Sequence, residues 1–150
     1  VSGRNTERGA GAMQPSAIVL PAIAMFFLTF SMIGLLAYRR LTSVRRGEIP
    51  LSYFELYNVG VQPDALQQIG RHVQNHFEVP PLFYIVVLFL YVTGAVTPLT
   101  VGLAWAYVAL RAVHSVIHLG SNDVNLRFTA FGASCLALTG LWLSLLFALP

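Results

Sequence analysis

The chain has 150 residues, 56% of them hydrophobic and only 10% charged, with a mean hydropathy of +0.68. A soluble domain carries roughly 25% charged residues, so this composition excludes a water-covered globule and points to an integral membrane protein. The net charge is +3 and every basic residue is Arg. No basic cluster is interleaved with aromatics on a soluble module, which argues against a nucleic-acid partner.

Residues 1–12, VSGRNTERGAGA, are small, polar and rich in Gly. They read as a disordered N-terminal tail ahead of Met13, a plausible start, and the four-helix domain is expected over 13–150. The first span is expected at about 16–38, because no charge occurs between Gly9 and Tyr38 and a span needs about 20 apolar residues. A cleaved signal peptide fits less well: no basic segment sits directly before the apolar run and no small-residue cleavage site follows it. Positive charge comes after the run, at Arg39, Arg40, Arg45 and Arg46. Basic residues collect on the cytoplasmic side, so the N-terminus is expected outside.

Residues 39–70 form a polar loop with a semi-apolar middle (Tyr53, Phe54, Leu56, Tyr57), expected to lie against the membrane surface. Pro63-Asp64 could open a short helix leading to Arg71. The second helix is expected from Gln67 or Gly70, with its membrane-crossing part at about 77–96. Pro80 and Pro81 should kink it near the start of that part. Thr97-Pro98 marks a tight hairpin. The third span is expected at about 100–119 and the fourth at about 127–149, with GSNDVN (120–125) as the turn between them. The reading is therefore an all-α membrane protein, a bundle of four transmembrane helices with both termini outside the cytoplasm.

Polar residues inside membrane helices are costly and usually mark a site. Arg71, Asn75 and Glu78 fall at i, i+4 and i+7 on one helical face, and Arg111, His114 and His118 fall at i, i+3 and i+7 on another. With Arg127 they sit at the inner ends of three consecutive helices. With neutral His, three Arg and one Glu sum to +2, and that excess calls for an anionic ligand. Each residue also has a purely structural reading. Glu78 could pair with Arg71 or Arg111, Arg127 could snorkel to the interface, and Asn75, His114 and His118 could bridge helices. His72 and His76 flank the Arg71 face and read as interfacial. A metal site is disfavoured, since the Arg residues repel a cation. The single cysteine, Cys135, lies in an apolar run and reads as an unactivated buried thiol.

The motif Arg71-x-x-x-Asn75-x-x-Glu78-x-x-Pro81, followed by Arg111-x-x-His114-x-x-x-His118 and Arg127, resembles the MAPEG superfamily of membrane-associated proteins in eicosanoid and glutathione metabolism. The likeness is to a bacterial-type member and covers the chain after about Met13. It implies a homotrimer in an inner membrane. It also implies glutathione held near the cytosolic face by Arg71, Asn75, Glu78, Arg111, His114 and His118, with Arg127 as the catalytic residue favouring the thiolate. A free thiol titrates near about 8.5, and a nearby Arg favours its reactive anion. Glutathione carries two carboxylates and one ammonium, which Arg residues and Glu78 complement.

The implied function is a glutathione-dependent membrane transferase or peroxidase acting on a lipophilic electrophile. Three positions depart from the family pattern: His118 stands where Tyr is common, Phe128 where some members have a small hydroxyl residue, and Gln74 where some are basic. These departures keep open a second reading, a non-catalytic protein on the same scaffold that binds a lipid or a partner complex.

Overall fold

The structure is a computed structural model describing residues 14–56 and 62–149. The expected N-terminal tail, Met13 and part of the first loop, including Tyr57, lie outside the described residues. A short 3-10 turn, Pro15–Ile18, leads into α1 (Val19–Arg45), followed by α2 (Tyr53–Leu56), α3 (Asp64–Glu78), α4 (Pro80–Val92), α5 (Pro98–Leu119) and α6 (Val124–Ala148). Four of the described helical stretches are long and apolar enough to cross a membrane: Pro15–Arg45, Asp64–Val92, Pro98–Leu119 and Val124–Ala148. The chain is an all-helical, multi-pass integral membrane protein.

Local chemistry sets the helix ends. The first helix runs past Tyr38 to Arg45, so three of the four loop arginines lie on the helix itself. It stops at Gly47, whose φ of 69° is left-handed. There the Gly47 amide returns to the Val44 carbonyl and the Glu48 amide to that of Ser43, which satisfies carbonyls the helix leaves open. α4 ends in the same way at Gly94, φ 68°, with Ala95 N–H bonded to Leu90 O. At the start of α5 the hydroxyl of Thr97 accepts from the Thr100 amide, and the Thr100 hydroxyl accepts from the Thr97 amide. Asp123 Oδ1 accepts from the Leu126 amide at 2.9 Å to open α6.

The expected kink is a full break. Pro80 and Pro81 have no N–H to give to the carbonyls of His76 and Phe77, and the helix is interrupted at Val79 (φ −103°, ψ −45°). The second span is therefore two helices, α3 and α4. α3 starts at Asp64, immediately after Pro63, which lengthens the helix ahead of Arg71.

Two apolar clusters hold the bundle. One joins Met25 of α1, Phe83, Val86 and Leu90 of α4, Tyr107 of α5 and Leu141 of α6. Its centre is the Phe83–Tyr107 stack, with ring centroids 4.5 Å apart. The other joins Leu36 of α1, Ile49, Tyr53 of α2, and Leu66, Ile69 and Val73 of α3. The semi-apolar loop thus folds Ile49 and Tyr53 back into the bundle end, while Leu51 stays exposed. In α1, α3 and α5 the residues between these clusters are polar: Thr29, His72, His76, Arg111, Ser115. Outward-facing side chains such as Phe27, Phe30, Leu88 and Leu136 are exposed and apolar, as a lipid-facing surface requires. Lipid supplies no hydrophobic drive between helices, so close packing and interhelical hydrogen bonds must hold them together. α5 and α6 form the most extensive pair, and α1 packs mainly on α3.

Candidate functional site

α3, α5 and α6 line a cleft of about 400 Å³ at the end of the bundle where α5 turns into α6. The structure brings Arg71, Asn75, Glu78, His114, His118 and Arg127 together on its walls. It does the same for Gln74, Val124, Phe128 and Phe131, which the sequence pattern did not single out as ligands. A smaller cavity of about 290 Å³ shares Arg71, His118 and Arg127 and extends toward Asp64 and Asn122. The site is thus polar at its mouth and aromatic on its α6 side.

Arg111 does not line the cleft. It is fully buried behind it, where Nη2 donates to Asn75 Oδ1 at 2.7 Å and lies 3.4 Å from the Asn75 carbonyl oxygen. Its guanidinium also sits 5.7 Å from the centre of the Phe131 ring, within cation–π range. Nε and Nη1 find no acceptor among the described residues. The ion pair that Glu78 could have made with Arg71 or Arg111 is not formed. Glu78 accepts instead from Gln74 Nε2 at 3.0 Å, and both side chains are exposed at the cleft.

Arg127 is fixed from both ends. Its guanidinium Nη1 donates to Asn122 Oδ1 at 2.7 Å, and its carbonyl oxygen accepts from His114 Nδ1 at 3.0 Å. Asn122 has a left-handed φ of 53°, a conformation Asn tolerates better than most residues. Because a carbonyl can only accept, His114 carries its proton on Nδ1, and in the neutral ring Nε2 is the acceptor.

The expectation that His72 and His76 are interfacial is overturned. They are 0% and 2% exposed, because α3 is packed between α1 and α5 and both flanks of its polar face are enclosed. Ser115 Oγ donates to Arg111 O at 2.8 Å, so its oxygen accepts from His72 Nε2 at 2.9 Å. His76 reaches the same hydroxyl at 3.4 Å and Thr29 Oγ1 of α1 at 3.0 Å. The His72 ring lies 5.6 Å from that of His114 and 4.9 Å from that of His118. Four histidines thus run from the cleft into the core. The i, i+4 spacing of His72/His76 and of His114/His118 puts each pair on one helical face, but that these faces meet is decided by the packing of α3 on α1 and α5. Among the described residues no three His, Cys, Asp or Glu side chains are placed to hold a metal ion.

The sequence model of the MAPEG family matches residues 18–147, nearly the whole described chain. The chain belongs to the MAPEG family. No curated protein and no solved structure matches it. In this MAPEG protein the match runs through all four spans, and so covers both walls of the cleft and the buried histidines behind it.

Proposed function

We propose that this MAPEG protein is a glutathione-dependent transferase or peroxidase that acts on a lipophilic electrophile. The observation that carries the reading is the meeting of two guanidinium groups, Arg71 and Arg127, with one carboxylate, Glu78, in a single cleft. That donor set fits the tripeptide. Arginine forks complement its two carboxylates, and Glu78 complements its ammonium. Asn75 offers an amide whose orientation the buried Arg111 fixes. Of the residues expected to hold glutathione, Arg71, Asn75, Glu78, His114 and His118 would touch it, and Arg111 would position Asn75.

Glutathione, when bound, supplies a thiol that acts as nucleophile or reductant once deprotonated. Arg127 contributes a fixed positive charge, pre-oriented by Asn122, which favours the anionic form. His114 contributes an acceptor at Nε2 within the same walls. Phe128 and Phe131 give the cleft an apolar side suited to a lipophilic partner arriving from the bilayer. The resemblance to MAPEG proteins supports a homotrimer in the inner membrane with the cleft facing the cytoplasm. The Arg39–Arg46 cluster at the same end supports that orientation.

The test is turnover of a lipophilic aryl halide and of a lipid hydroperoxide by the purified protein with glutathione. Turnover that falls on Arg127→Ala is the expected result. No turnover with either electrophile, together with tight retention of a lipid or partner protein, would favour the non-catalytic reading. Phe128 motivates that alternative, since it is 75% exposed at the cleft, where a bulky apolar ring suits a lipid tail.

A further inference from the structure

A second cavity lies away from the cleft, where the last turns of α1 meet the start of α2. It has a volume of about 350 Å³, inside the range of roughly 300–1,000 Å³ typical of small-molecule sites. Its walls are Leu41, Val44, Leu51 and Phe54, with Arg40 and Arg45 beside them. On α1 the positions 40, 41, 44 and 45 share one helical face, so two guanidinium groups flank an apolar trough. The Arg40 guanidinium lies 5.3 Å from the centre of the Phe54 ring, a cation–π distance that ties the trough's basic edge to its aromatic wall. Leu41 and Leu51 are 58% and 73% exposed, so the trough is open rather than a closed part of the core.

Charge narrows the occupant. Arg39, Arg40, Arg45 and Arg46 contribute +4 and Glu48 and Glu55 contribute −2, leaving +2. Glu48 lies 3.8 Å from Arg46, whereas Arg45 makes no ion pair among the described residues. A ligand that satisfies both features has an anionic phosphodiester for the forks and a hydrocarbon chain for the trough. The position fits as well, at the end of a membrane-crossing helix, where basic residues meet headgroups.

We propose that this groove binds an anionic glycerophospholipid, its phosphate held by Arg40 and Arg45 and an acyl chain lying along Leu41, Val44, Leu51 and Phe54. The site is separate from the glutathione reading, since it shares no wall with the cleft.

Native mass spectrometry of the delipidated, detergent-purified protein, titrated with phosphatidylglycerol or phosphatidylcholine, tests this. Phosphatidylglycerol should be retained in preference. Arg45→Gln should lower that preference about fivefold, from the attraction of one basic residue at an anionic surface. Val44→Trp fills the trough and leaves all four Arg in place, and it should abolish the preference. Leu51→Glu acts at an exposed position that the fold does not need, and should weaken it by repulsion. Equal binding of the two lipids would overturn the proposal. So would a preference that survives both Val44→Trp and Leu51→Glu, because the arginines would then act without the groove. A trough found occupied by a second copy of the chain would overturn it as well.

Discussion

Arg111 Nη2 and Asn75 Oδ1 are 2.7 Å apart, and this bond joins the buried interior of the bundle to the wall of the cleft. A charged group at this depth is costly unless its donors are met. Asn75 meets one of those donors, Nη2, from α3 with a side chain whose outer part lines the site. One residue thus serves both stability and ligand geometry.

Removing the Asn75 acceptor should therefore register first as stability. Asn75→Leu leaves Arg111 without its main partner, and a lost hydrogen bond to a charged group costs about 1.5–3 kcal/mol. Thermal denaturation of the detergent-solubilised protein should show a clear drop in midpoint. Asn75→Asp keeps an acceptor within reach of Arg111 and should recover much of the loss. Equal midpoints for wild type and Asn75→Leu would show that Arg111 does not depend on this bond.

The buried histidines make a separate claim. His72 donates to Ser115, whose own proton is committed to the Arg111 carbonyl. Replacing His72 by Phe leaves the Ser115 hydroxyl only the longer 3.4 Å contact with His76 and should cost about 1 kcal/mol. His72→Gln, which can still donate, should cost less. Phe and Gln variants of equal stability would argue that ring packing, and not the hydrogen bond, is what His72 supplies.

Asn122 offers a way to loosen Arg127 without unfolding the turn. Gly adopts a left-handed φ freely, so Asn122→Gly should leave the melting temperature close to wild type. It removes the Oδ1 acceptor that orients the Arg127 guanidinium. Turnover with glutathione should then fall about 10- to 100-fold, as expected when a reacting group is misplaced by about an ångström. Unchanged turnover would mean that Arg127 needs no help from Asn122.

The spans and the polar faces were legible in the sequence because each follows a strong period. Long apolar runs with few charges mark the four spans, Pro15–Arg45, Asp64–Val92, Pro98–Leu119 and Val124–Ala148. The i, i+4, i+7 spacing of Arg71, Asn75 and Glu78 marks one wall of the cleft. Three features were not legible, each for a physical reason. Arg111 has the same spacing as its cleft-lining neighbours His114 and His118, and only the approach of α3 puts Asn75 between it and the cleft. His72 and His76 lie beside an exposed face, and their burial follows from packing on α1 and α5, which periodicity along α3 alone does not reveal. The length of α1 depends on the hydrogen bonds around Gly47 and not on hydropathy, which falls away at Arg39.

Glutathione binding to the purified protein by titration calorimetry bears most directly on the proposed function, with Arg71→Gln, Glu78→Gln and Arg45→Gln measured alongside wild type. Saturable binding is expected in wild type. Arg71→Gln and Glu78→Gln should each weaken it about 10- to 100-fold, the cost of one charge-assisted hydrogen bond, while Arg45→Gln, outside the cleft, should leave it unchanged. An absence of saturable heat in wild type, or binding that ignores Arg71 and Glu78, would contradict a glutathione site in this cleft.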